Sequence, residues 1–373
     1  MTNWDEIRAY FPALARNVYL NTAGGAPLSV KTAVSAKQYY DEGSQYGEAR
    51  WNDWLARVEE TRTLVANFIN APAADIAFLP NVTLGLNIAA QLFAGEGEVV
   101  SFDKEFPSVT LPWLAQKYPV RLLPTAADGS VPLATVAEAL TPATKVLVLS
   151  HVQYATGYRH DLGALGTLCR ERGVHLVVDA TQSLGAYPID VAATPVSILT
   201  FSGYKWPTAG YNAAAMYIPQ SLLAQYNSPV AGWRSARSMY AMRNDTLDLA
   251  DTARVFETGH PPFPGVFALK GALELLTEIG MDNITARIIA LNDHLHAACD
   301  AAGLSVYSTR DPHHRSGITM VAADDPPAVA AELAKRNIIV SARGQGLRVS
   351  PHFYNTFEEI ERFVEAMVEI GNQ

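Results

Sequence analysis

Cysteine is scarce in this chain: 373 residues include only Cys169 and Cys299. They form no close pair and no metal-type spacing, which argues against a disulfide framework and against a metal site. Cys169 stands among Leu165, Leu168 and Val174, the setting of a buried helix position. Long apolar runs are also missing; none approaches the roughly 20 residues that span a bilayer. The opening stretch, Met1 to Leu14, is charged and broken by Pro12, unlike a secretory leader. Basic clusters are absent as well. With a net charge of −9 and a pI of about 5.5, the composition speaks against nucleic-acid and membrane partners and for a small-molecule one. Repeats and low-complexity tracts are lacking. These absences together predict a cytoplasmic location.

What is present suits a large α/β domain with a smaller companion. Apolar residues make up 49% of the chain, ample for a buried core. Strand-like runs alternate with helical patterns: strands over 99–102, 120–123, 145–150, 174–179 and 196–202, and helices over 108–117, 133–140 and 162–172. Such alternation predicts βαβ units and a mostly parallel sheet covered by helices. Val146 to Leu149 and Leu176 to Val178 are apolar throughout, as strands buried on both faces should be. Beyond about Pro264 the pattern changes to helices over 266–279 and 283–302. Short strands follow around Leu304, Ile318, Ile339 and Leu347. A final helix begins at Thr356, an N-cap candidate with Glu359 three residues on. The predicted division is a large domain over 18–262 and a smaller α+β domain over 263–373, with 1–17 packed on it.

Two charged residues of opposite sign stand at neighbouring strand ends. Asp179 closes the run His175-Leu176-Val177-Val178, and Lys205 follows Leu199 to Ser202 after a Gly203-Tyr204 turn. The carboxyl edge of a parallel sheet is where ligands bind. An amine and a carboxylate there suit pyridoxal 5′-phosphate (PLP). The lysine can form a Schiff base with its aldehyde, and the carboxylate can keep the pyridine nitrogen protonated so that the ring accepts electrons. Taken singly, Asp179 reads equally as a helix cap and Lys205 as a solvated loop lysine; the pair in its strand context carries the inference.

The segments Asp179-Ala180-Thr181-Gln182 and Ser202-Gly203-Tyr204-Lys205 resemble those of class V aminotransferases of PLP fold-type I. That group includes cysteine desulfurases, kynureninases and isopenicillin-N-epimerase-like proteins. The resemblance extends over nearly the whole chain. It implies a large domain whose seven-stranded, mostly parallel sheet lies between helices. It also implies PLP as cofactor and a homodimer with composite sites.

Residue by residue, the resemblance assigns Lys205 to the Schiff base, Asp179 to the ring nitrogen and Gln182 to the phenolic oxygen. Val82 and Thr83, in the turn Asn81-Val82-Thr83 that opens a helix, become phosphate contacts; a plain helix cap is the other reading. Ser202 and Tyr204 are further phosphate contacts, although relatives often carry histidine where Tyr204 stands, and Tyr204 reads equally as a packing residue. Phe106 matches the position of the ring that stacks on the cofactor, or else is a core residue at a helix start. Tyr154 falls on the ligand side of a strand end, while neighbouring His151 reads as structural. Thr258 and His260, before Pro261-Pro262, match a stretch that reaches the partner subunit's phosphate, or else form a turn. Arg348 resembles the arginine that grips the substrate carboxylate, a task for its planar fork; the alternative is pairing with an internal acid. Arg343 and Arg50 are weaker candidates for a second substrate contact. Ala23 and Gly24 match a substrate-side loop, or simply form a tight turn.

Within the family, desulfurases carry a cysteine just before the arginine strand. Ser341 to Arg348 contains none. The expected reaction is therefore transamination or C–S lysis. Epimerisation like that of isopenicillin-N-epimerase relatives is the alternative. Desulfuration, or a non-catalytic binding or regulatory role, ranks lower.

Overall fold

A computed structural model describes residues 2–371. At its centre lies a seven-stranded sheet of β1 (Ile76–Leu79), β2 (Glu98–Phe102), β3 (Val120–Leu123), β4 (Thr144–Ser150), β5 (His175–Asp179), β6 (Ile198–Ser202) and β7 (Ala214–Tyr217). The spatial order is β1-β7-β6-β5-β4-β2-β3. From β6 through to β3 every pair is parallel, whereas β7 runs antiparallel between β6 and β1. Parallel neighbours need crossovers. Helices Pro107–Ala115, Leu133–Ala139 and Leu162–Arg172 supply three of them.

Side-chain alternation sends successive strand residues to opposite faces. Leu147, Leu149, Leu176 and Val178 enter one core, and Val146, Val148, Val177 and Ile198 enter the other. Both faces are covered, which is why these strands are apolar throughout.

A second, three-stranded antiparallel sheet contains β8 (Thr319–Ala322), β9 (Ser341–Arg343) and β10 (Gly346–Val349), in the order β9-β10-β8. Helices Met281–Ala301 and Phe357–Gly371 pack on it through Leu291, Leu295, Ile360 and Phe363. The capping box forms as the sequence predicts. Glu359 N–H donates to Thr356 Oγ1 at 3.3 Å, and Thr356 N–H donates to the Glu359 carboxylate at 3.1 Å. Near the N-terminus, Val18–Tyr19 pairs with Ile338–Ile339, and Arg8 forks onto Glu359 at 2.7 Å.

Three expectations need correction. The segment at Leu304 is no strand; only an isolated bridge, Val306 to Val321, forms there. The helix expected over 108–117 runs Pro107–Ala115, because Lys117 turns to a positive φ of 62°. Helices Val30–Tyr46 and Trp51–Phe68 were not anticipated, although Trp54, Val58, Thr61 and Val65 form a buried helical stripe in the second. Both pack against helix Phe263–Ile279.

Candidate active site

Three adjacent strands end at one place. Ser150 closes β4, Asp179 closes β5 directly opposite it, and Ser202 closes β6. Lys205 follows in a tight turn. Gly203 N–H donates to Ala213 O, Ala209 N–H to Gly203 O at 2.8 Å and Thr208 N–H to Lys205 O at 2.8 Å. A Cβ on Gly203 would lie 2.6 Å from Ala213 O, so only glycine allows this close return. The following residue, Trp206, is fully buried. Its indole N–H donates to Gln182 Oε1 at 2.9 Å, and its carbonyl accepts from His352 Nε2 at 2.8 Å. His352 Nδ1 accepts from Phe353 N–H, so Nε2 carries the proton. Burial pushes the His352 pKa down to about 3, which keeps the ring neutral.

The electrostatics of the pocket follow from burial. Burial drives the Lys205 amine down to about 8, with Asp179 opposing and Arg348 and Arg343 adding to the fall. Asp179 is raised from the usual carboxylate range by burial, against the pull of Thr181 and Lys205. Thr181 N–H donates to Asp179 at 2.8 Å. Arg348 is 2% exposed, and its side chain donates one hydrogen bond, to Tyr154 O at 3.0 Å. Its Nε has no partner, and among the described residues no carboxylate lies within ion-pair distance. Burial first, then Arg343, lowers its pKa to about 10.

Other predicted residues gather around this pair. Lys205 Nζ is 5.8 Å from the centroid of the half-exposed Phe106 ring and 5.4 Å from that of Tyr204. Phe106 meets Tyr154 edge-on at 5.3 Å, and Tyr204 stacks on Tyr211 at 4.9 Å. Helix Val82–Leu92 starts beside Ser202, capped by Asn81; the Val82 N–H is engaged by Ser202 Oγ at 3.0 Å. Thr83 Oγ1 shares a 2.9 Å hydrogen bond with Ser108. Gln182 Nε2 donates to Ala23 O at 3.0 Å, and Ala23 N–H donates to Ser350 Oγ at 3.0 Å. Gly24 closes the same loop, its N–H donating to Asn21 O at 2.9 Å.

Some candidates are placed apart from this cluster. His260 is exposed between the rings of Trp51 and Trp233, 5.4 and 5.2 Å away. Thr258 packs its backbone against Gly232. Arg50 pairs with Asp53 at 2.9 Å in the junction between two helices. Arg343, by contrast, lies on the hairpin that carries Arg348.

Glu105 was missed as a site residue. Its side chain is buried, accepting from Ser150 N–H at 2.9 Å and from Ser150 Oγ at 2.5 Å. Burial raises its pKa to about 7, and Asp179 adds to the rise. An acid before an aromatic residue carries no local signal of burial; its partner lies 45 residues away. An acid with a raised folded pKa destabilises the native state once the unfolded chain ionises more readily. Relative to a non-titrating residue, stability falls as pH climbs from about 4.5 to about 7. Glu105→Gln should therefore gain on the wild type across that window, by at most about 3 kcal/mol, in urea unfolding of the cofactor-free proteins. A pH-independent difference between the two would clear Glu105 of this role.

The donor set fits PLP. A buried amine, a buried carboxylate at the neighbouring strand end, an open aromatic face and a helix N-terminus with hydroxyls beside it match an aldehyde, a ring nitrogen, a ring face and a phosphate. Fold and site define a PLP-dependent enzyme of fold-type I. The chain belongs to the class V aminotransferase family, whose model matches residues 18–363. It is 28% identical over 371 residues to the uncharacterized aminotransferase YcbU of Bacillus subtilis, covering 97% of this chain and 96% of that protein. A probable cysteine desulfurase of Pyrococcus abyssi is 29% identical over 397 residues, covering 98% and 97%. The solved apo structure of a cysteine desulfurase from Thermococcus onnurineus NA1 superposes with a TM-score of 0.90 at 23% identity, covering 99% of this chain and 98% of that one.

Proposed function

We propose that the chain converts an α-amino acid by transamination or by C–S elimination. The observation that carries this reading is Arg348, a buried guanidinium with no carboxylate partner among the described residues, close enough to Lys205 to lower its pKa. Leaving such a group unpaired is costly, and a substrate carboxylate would meet its planar fork.

When bound, PLP supplies an electron-poor ring that accepts the pair left at Cα when a bond there breaks. Lys205 Nζ would hold the aldehyde carbon. With a pKa near 8, a useful fraction of this amine is neutral around neutral pH, able to act as nucleophile and to take a proton from substrate Cα. Asp179 would hold the proton on the ring nitrogen, and Gln182 would reach the phenolic oxygen with its remaining N–H. Phe106 would cover the ring face, with Tyr154 and Tyr204 beside it. Thr83, Ser202 and the start of helix Val82–Leu92 would take the phosphate. Ser202 already accepts from Val82, so its own hydrogen stays free to donate. Ala23 and Gly24 would border the substrate.

Both thiols support elimination or transamination over persulfide transfer. Cys169 and Cys299 lie buried in helices, and burial pushes each up to about 12, so neither offers a thiolate near neutral pH. Two free cysteines also accord with a reducing compartment, the cytoplasm. No helix among the described residues is long and apolar enough to cross a membrane.

We also propose a homodimer in which Thr258 and His260 complete the partner's site. Exposed Tyr240, Met242 and Leu247 support an interface there. The proposed domain division is 18–262 and 263–373 with 1–17; the Arg8–Glu359 contact supports the placement of 1–17, whereas helix Phe263–Ile279 packs on helices Val30–Tyr46 and Trp51–Phe68 of the larger domain.

A panel of amino acids added to the holoenzyme tests the reaction. A 2-oxo acid with an aminated cofactor indicates transamination; pyruvate with ammonia indicates elimination. Cα exchange with inversion and no other product would remove both.

A further inference from the structure

We propose that Arg343 makes the site selective for amino acids whose side chain ends in a second anionic group, a carboxylate or a sulfinate. The inference rests on the reading of Arg348 as the α-carboxylate contact. In the β9–β10 hairpin Ser341 faces Arg348 and Arg343 faces Gly346. Facing residues share a side of the sheet, as do alternate residues of one strand. Arg343 and Arg348 therefore stand on the same side as diagonal neighbours, with backbones about 7–8 Å apart. Gly346, opposite Arg343, places no side chain between them.

The chain has more acids than bases, 37 against 28, yet no acid serves this pair. Among the described residues, the Arg343 side chain donates only to Ala342 O at 2.7 Å, and Arg348 only to Tyr154 O. Several other arginines do have acidic partners, such as Arg50 with Asp53, Arg243 with Asp245, Arg310 with Asp300 and Arg336 with Glu369; what sets this pair apart is that two guanidiniums, unpaired among the described residues, share one side of a hairpin beside Lys205. Two guanidiniums held this close repel each other unless anions come between them. Both arginines lie near enough to Lys205 to depress its amine, so two cations, Arg343 and Arg348, border the substrate space. One α-carboxylate answers one arginine. Arg343 is exposed and stands next to the 344–345 turn of the hairpin, so a second anionic group of the substrate would answer it. The competing arrangement has both arginines gripping one α-carboxylate.

The holoenzyme should be titrated with L-aspartate, L-cysteine sulfinate and L-asparagine, following cofactor absorbance. Calorimetry with succinate and butyrate, which have no amino group to react, gives a second readout. The two acidic amino acids should bind about 10- to 100-fold more tightly than asparagine, the size of one charge-assisted contact. Succinate should exceed butyrate similarly. Arg343→Gln should erase that preference, and Arg50→Gln should leave it intact. The aspartate and sulfinate arms show which anion is preferred. Equal binding of aspartate and asparagine by the wild type overturns the selectivity alone. So does an Arg343→Gln variant that weakens both equally, since that marks a joint α-carboxylate clamp. Silence towards every amino acid overturns the underlying reading and the selectivity with it.

Discussion

Lys205→Ala is expected to yield a folded protein that borohydride cannot link covalently to PLP and that lacks the visible absorption of the wild type. Among the described residues Lys205 is the only lysine placed at the ends of β5 and β6, with Nζ 5.8 Å from the Phe106 ring and 5.4 Å from the Tyr204 ring. Its burial costs the charged form, which is why the amine titrates near 8. The loss of a general base alone lowers turnover by about 10²–10⁴-fold, and the loss of the covalent anchor adds to it. Mass spectrometry after borohydride treatment provides the check. A reduced cofactor adduct on the Lys205→Ala chain would mean that another amine holds it. In the cofactor-free wild type, labelling of Lys205 by an amine reagent should rise with pH through a midpoint near 8.

Asp179→Asn should retain bound cofactor while kcat falls by about 10²–10³-fold, the scale on which one preorganised electrostatic contact contributes. Asparagine keeps the shape and can still accept from Thr181 N–H, but it carries no charge with which to hold a proton on the ring nitrogen. Steady-state kinetics separates the effects: kcat drops while KM changes little. A near-normal kcat would remove Asp179 from the site. The same variant shifts Lys205 in a defined direction. Asp179 raises the Lys205 pKa, so its neutralisation moves the labelling midpoint below that of the wild type.

These two residues were legible in the amino-acid sequence for a physical reason. A doubly covered parallel strand must be apolar along its length, so the first charged residue after the run marks its end. Asp179 after Leu176-Val177-Val178 is such a mark, and Lys205 lies just beyond the next run. The capping box at Thr356 and Glu359 was equally local. Leu304 was misread because an apolar residue in a loop can fill a core without joining a ladder; its backbone N–H instead bonds Cys299 O at 2.9 Å, closing the preceding helix.

By itself, the sequence determined the βαβ succession, the charged strand ends and the absence of a thiol from the β9–β10 hairpin, because each is written in a few consecutive residues. Tertiary structure alone decided the strand order, the Glu105–Ser150 clamp, the Trp206 link between Gln182 and His352, and the isolation of Arg348 from any acid. Each of these depends on which distant segments meet. Local periodicity fixes where a side chain points, but only packing fixes what it finds there.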